Sequence, residues 1–147
     1  MTSGVVLDAS ALLAMIRREP GGEAVAGIMG RASMSAVNLA EVVGYLTNAG
    51  LASDRIEAIL TPLPLAVIDA DAELAWIAGR LRRKTTQAGL SLGDRFCLAL
   101  AAREGLPAWT AAPQRSLKVD GKPGRMSTEP RLCGGNRACP AWLLGPL

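Results

Sequence analysis

Val5-Val6-Leu7 is an unbroken apolar triplet between Gly4 and Asp8, and its lack of polar alternation predicts a strand buried on both faces, as in a parallel sheet. Ser10 can cap a helix that follows from Ala11 to Ile16, so the chain opens as strand, carboxylate, helix. Glu23 to Met29 continues a helical pattern, and Arg31 to Ser35 is short enough for a second strand. Leu39, Val42, Val43 and Leu46 recur at helical spacing in a segment that Asn38 opens and Asn48-Ala49-Gly50 ends. Ser53 to Leu60 is a short helix closed by Pro62 and Pro64, and Leu65 to Asp69 is again an apolar run that stops on an acid. Asp71 to Arg83 is a long amphipathic helix, for which Asp69 and Asp71 read as caps. Ser91 opens a helix to about Glu104, ended by Gly105, and Leu106 to Ala111 reads as a further strand. This alternation predicts an α/β fold of three layers around a mostly parallel sheet.

The pattern breaks at Ala112. The last 36 residues hold five Pro and five Gly, with no strand or periodic helix before Ala141-Trp142-Leu143-Leu144. A domain over residues 1–111 and an irregular tail over 112–147 are expected. Charge divides at the same point: the first segment carries a net −1 and the second +4, so the overall +3 is a property of the tail and says little about whether the domain attracts phosphates.

Composition narrows the chemistry. There is no His, which removes the common general base and the commonest metal ligand together, so catalysis would have to rest on carboxylates. Five aromatic residues argue against an aromatic platform for single-stranded nucleic acid. Three scattered Cys (Cys97, Cys133, Cys139) make neither a disulfide framework nor a zinc site, which fits a reducing cytoplasm. No stretch of about 18 apolar residues occurs, and the start shows no signal-peptide pattern, so no membrane partner is expected.

Three acids share one kind of placement. Asp8 ends a strand, while Glu41 and Asp94 each follow a capping residue by three positions, in Asn38-x-x-Glu41 and Ser91-x-x-Asp94. Taken singly, each acid reads as a helix cap. If the helices leave one sheet edge, the three converge as hard oxygen ligands suited to Mg²⁺ or Mn²⁺, which can activate water in place of a His.

The segments Val5-Val6-Leu7-Asp8-Ala9-Ser10, Ser35-Ala36-Val37-Asn38-Leu39-Ala40-Glu41-Val42 and Leu90-Ser91-Leu92-Gly93-Asp94-Arg95-Phe96-Cys97-Leu98-Ala99 resemble the acidic signatures of PIN domains, and are most similar to those of VapC-type toxins. The resemblance covers residues 4–111 and implies a Mg²⁺- or Mn²⁺-dependent endoribonuclease, held in check by an antitoxin and usually a homodimer. It makes Asp8, Glu41 and Asp94 the metal-binding catalytic acids, with Ser10, Asn38 and Thr110 beside them. The chain departs from the pattern after Thr110-Ala111, where the family commonly has a fourth acid, a last helix and a closing Val/Ile strand; here Ala112-Pro113 follows and the closing strand is missing. A frameshift or truncation of the reading frame is the expectation this raises.

Arg80, Arg82, Arg83 and Lys84 end the long helix, where cations complement its dipole and could also hold an RNA backbone; Arg95, beside Asp94, could contact phosphate or pair with that acid. Two other readings stay open: an inactive descendant that still binds antitoxin or RNA, and a phosphatase or phosphotransferase with Asp8 as nucleophile. The second lacks the Asp two residues on that such enzymes usually carry, since Ser10 stands there.

Overall fold

The computed structural model describes residues 4–86 and 89–110, together with two short strands at 117–119 and 122–124. In chain order the elements are β1 (Val5–Leu7), α1 (Ala9–Ile16), α2 (Gly22–Ile28), β2 (Ala32–Ser35), α3 (Ala36–Asn48), α4 (Ser53–Leu60), β3 (Ala66–Ile68), α5 (Ala72–Thr85), α6 (Leu92–Glu104) and β4 (Ala108–Trp109). The strands form one parallel sheet in the order β3-β2-β1-β4, so the first strand made is central.

The buried triplet sorts the core into two halves. Val5 and Leu7 point into a cluster with α1 to α4, built on Leu12, Val25, Met34, Val42, Leu46 and Ile56. Val6 points the other way, into Leu74, Ala78, Leu81, Phe96 and Leu100 of α5 and α6. A strand with period-two side chains, apolar at every position, needs helices on both faces, and the three-layer architecture supplies them.

Two helix starts differ from the spacing argument. The cap of α1 is Asp8, not Ser10: Asp8 keeps extended backbone and its carboxylate accepts the Ala11 N–H, while Ala9 and Ser10 are already helical. Helix α3 begins at Ala36, and its cap is Ser35, whose hydroxyl accepts the Asn38 N–H at 3.2 Å. Asn38 therefore lies inside the first turn, and Glu41 sits one turn further along, outside the capping position that Asn38-x-x-Glu41 suggested.

Beyond β4 the tail holds β5 (Leu117–Val119) and β6 (Lys122–Gly124), paired antiparallel, where the apolar pattern gave no strand. The residues between them in sequence are Asp120-Gly121, a two-residue hairpin signal that apolar periodicity does not register. Ala112, where the fourth acid would stand, and the Ala141 to Leu144 run lie outside the described residues. Among those described, the parallel sheet ends at β4, and no helix is long and apolar enough to cross a membrane.

Candidate functional site

Asp8 leaves the end of β1 only 6 % exposed, and its Oδ1 accepts both the Ala11 N–H and the Ser10 hydroxyl at 2.8 Å. Thr110, at the end of β4, hydrogen-bonds the same carboxylate and lies 3.0 Å from the Ser10 hydroxyl. Burial pushes the Asp8 carboxyl above its ordinary range; the three hydrogen bonds pull it down without cancelling the rise, and the charge of Asp94 adds to it.

Glu41 stands on the open side. Burial of part of its side chain raises its carboxyl first, and the charges of Asp94 and Asp8 raise it further, while the Asn38 amide opposes them. Asn38 itself is fully buried. Its Oδ1 accepts the Ser35 hydroxyl at 2.7 Å, and its amide donates to Glu41 Oε2 at 3.3 Å and to the Gly93 carbonyl at 3.1 Å, tying α3 to the first turn of α6. A Cβ built on Gly93 would fall on the Glu41 carboxylate, so the acid occupies the space that the missing side chain leaves. Gly93 escapes motif reasoning, although a lone Gly within a helix already hints at a close approach.

Asp94 completes a capping box with Ser91: its Oδ2 accepts the Ser91 N–H at 2.8 Å and the Ser91 hydroxyl accepts the Asp94 N–H at 3.1 Å. The cap uses one carboxylate oxygen, Oδ2. Behind the acids lies buried Cys97, whose thiol is pushed well above its usual range by burial and then by the charges of Asp8, Asp94 and Glu41. That one group feels all three acids marks them as a single electrostatic unit, graded from buried Asp8 through half-buried Asp94 to exposed Glu41.

Arg95 does not join it. The residue is 7 % exposed, and its guanidinium donates to the Ser91 and Ala78 carbonyls at 3.4 Å, bracing α6 against α5 instead of facing a phosphate or pairing with Asp94. Arg82 and Arg83 are exposed on α5, as the sequence suggests.

The donor chemistry suits a hard divalent ion, since it is all oxygen and the charge of Asp94 raises the Asp8 and Glu41 carboxyls. Among the described residues no group of three Asp, Glu, Cys or His forms a ready cage, and Mg²⁺ is commonly held by one or two carboxylates with water completing its shell. Asp8, Asp94 and Glu41 are the oxygen ligands that could hold it, since the charge of Asp94 reaches both other acids.

A family model for the PIN domain matches residues 5–111. The chain belongs to the PIN domain family. No curated protein matches it significantly. Solved structures share the fold of this PIN domain. A sarcin–ricin-loop-cleaving VapC toxin of Mycobacterium tuberculosis superposes with a TM-score of 0.63 at 15% identity, covering 82% of this chain and 100% of its own. The DNA-bound VapBC of Salmonella typhimurium gives 0.60 at 21% identity over 80% and 93% of the two chains. A toxin–antitoxin complex from Klebsiella pneumoniae gives 0.60 at 19% identity over 80% and 94%.

Proposed function

We propose that this PIN domain is a Mg²⁺- or Mn²⁺-dependent endoribonuclease, the toxin of a toxin–antitoxin pair. The observation that carries the reading is the electrostatic unit of Asp8, Glu41 and Asp94 at one end of the sheet, together with the family. Neighbours that are toxin–antitoxin complexes support an antitoxin as partner, and a homodimer in the cytoplasm is the accompanying expectation.

A bound divalent ion would supply an activated water and offset charge on the phosphodiester. The chain supplies position. Ser10, Ala11 and Thr110 each hydrogen-bond the Asp8 carboxylate and hold its orientation. Asn38 orients Glu41, and Ser91 holds Asp94 at the head of α6. The phosphotransferase alternative gains nothing from this geometry, because Asp8 is buried and Ser10 serves as its hydrogen-bond donor.

Incubating the purified chain with structured RNA, with Mn²⁺ or with EDTA, tests the reading. Cleavage that needs the ion and is lost in Asp8→Asn is expected. Cleavage indifferent to both, or no cleavage in Mn²⁺, overturns it and leaves the inactive binding descendant.

A further inference from the structure

Trp76 is 72 % exposed on α5, although Leu74, Ala78 and Leu81 bury the opposite face of the same helix. Arg80 and Arg83 follow at four and seven residues, on the face that Trp76 occupies, over roughly 10 Å of helix. None of Arg80, Arg82 and Arg83 forms an ion pair among the described residues. Gly79, between Trp76 and Arg80, leaves open space where a Cβ would stand, so the flank of the ring is clear.

Two contacts fix where this face leads. Arg103 of α6 pairs with Asp71 at the start of α5 at 2.8 Å, and Arg95 near the start of α6 reaches Ala78 further along α5. The two helices are therefore antiparallel, and the arginines at the end of α5 lie toward the end of α6 that carries Asp94. The stripe runs from an exposed ring, through cations on the same helix, toward the acids.

A second copy of the chain is a poor occupant. Among the described residues Trp76 is the only exposed large apolar residue of α5, the others being Val43 and Tyr45 on α3, Val67 on β3 and Leu92 at the head of α6. One ring offers about 150–250 Å², against roughly 800 Å² per partner in a specific protein interface. Five aromatic residues are too few for an extended stacking platform, but for a single nucleobase one ring suffices, because every base has a π-face, and cations at intervals beside it suit a backbone.

We propose that this face of α5 is a binding track for single-stranded RNA, with Trp76 stacked on an unpaired base and Arg80 and Arg83 on backbone phosphates. The proposal rests on the nuclease reading for its ligand class. The test is fluorescence anisotropy of a short labelled single-stranded RNA titrated with the full chain carrying Asp8→Asn to prevent cleavage, alone and combined with Trp76→Ala, Trp76→Tyr, or Arg80→Ala plus Arg83→Ala. Trp76→Ala should weaken binding by about 5- to 150-fold, the range for one lost base stack, and Trp76→Tyr should recover most of it. The double Arg variant should flatten the slope of log K against log salt by about 1.4, or ~0.7 per single-strand phosphate contact. Unchanged affinity in Trp76→Ala overturns the proposal, as does conversion of a dimer to a monomer on size exclusion with RNA affinity kept. RNA binding that depends on Trp76 in a chain that cleaves nothing with Mn²⁺ retains the track and overturns the nuclease; no RNA binding at all overturns both.

Discussion

Gly93 on α6 vacates the volume that the Glu41 carboxylate of α3 fills. The clash that Gly93→Ala creates falls on the far end of a flexible, exposed side chain, so Glu41 moves and the backbone stays. Ala is also the better helix former by about 1 kcal/mol. The variant should keep or slightly raise its melting temperature while losing activity on the order of 10²-fold, the scale of an ångström of misplacement. Thermal unfolding and RNA cleavage measured side by side check this, and a parallel loss of both would refute it.

Gly22→Ala should do the reverse. A Cβ there meets the Ala14 carbonyl oxygen at 2.5 Å and the Met15 Cα at 2.9 Å, both of α1 backbone, so the helices must separate. Overpacking of this kind costs about 1–3 kcal/mol. Denaturant unfolding should show that loss, with cleavage per folded molecule unchanged because no site residue lies there.

Asn38→Ala removes a buried amide that satisfies Ser35, Glu41 and the Gly93 carbonyl together. Leaving buried partners unpaired costs about 1–3 kcal/mol. Both stability and cleavage should fall. Asn38→Asp keeps the shape but replaces the donor with a charge facing Glu41, and it should be no better than Ala in a urea titration.

The Asp8 carboxyl is raised in the folded state, so folding favours its protonated form. Its favourable contribution is complete below the ordinary carboxylate range and is lost as pH rises through the elevated value. Metal-free Asp8→Asn should therefore melt above the wild type at neutral pH, with the gap closing toward pH ~4. Added Mn²⁺ should raise the wild-type melting temperature and leave the variant unmoved. A variant that melts lower than wild type at neutral pH would contradict the assignment.

The strand–helix order is legible in the sequence because unbroken Val/Leu runs and periodic Leu/Ala/Val runs bury different surfaces, and Ser91 and Gly105 punctuate α6 at both ends. The capping boxes mislead at α3. Asn38-x-x-Glu41 has the right letters, but Ser35 three residues earlier competes for the helix start and wins, which releases Glu41 for the site. Arg95 looks like a surface cation by its position beside Asp94, yet helix packing turns it inward; only the α5–α6 contact reveals that. Gly93 could not be assigned without knowing that α3 crosses the head of α6.

The hydroxyls of Ser10 and Thr110 meet over Asp8 from opposite ends of the domain, and β1 takes β4 as one of its two neighbours. A nascent chain must therefore wait, with its first strand half unpaired, until residues near 110 clear the ribosome before the Asp8 carboxylate is locked. Synthesis itself imposes a delay between making this acid and arming it.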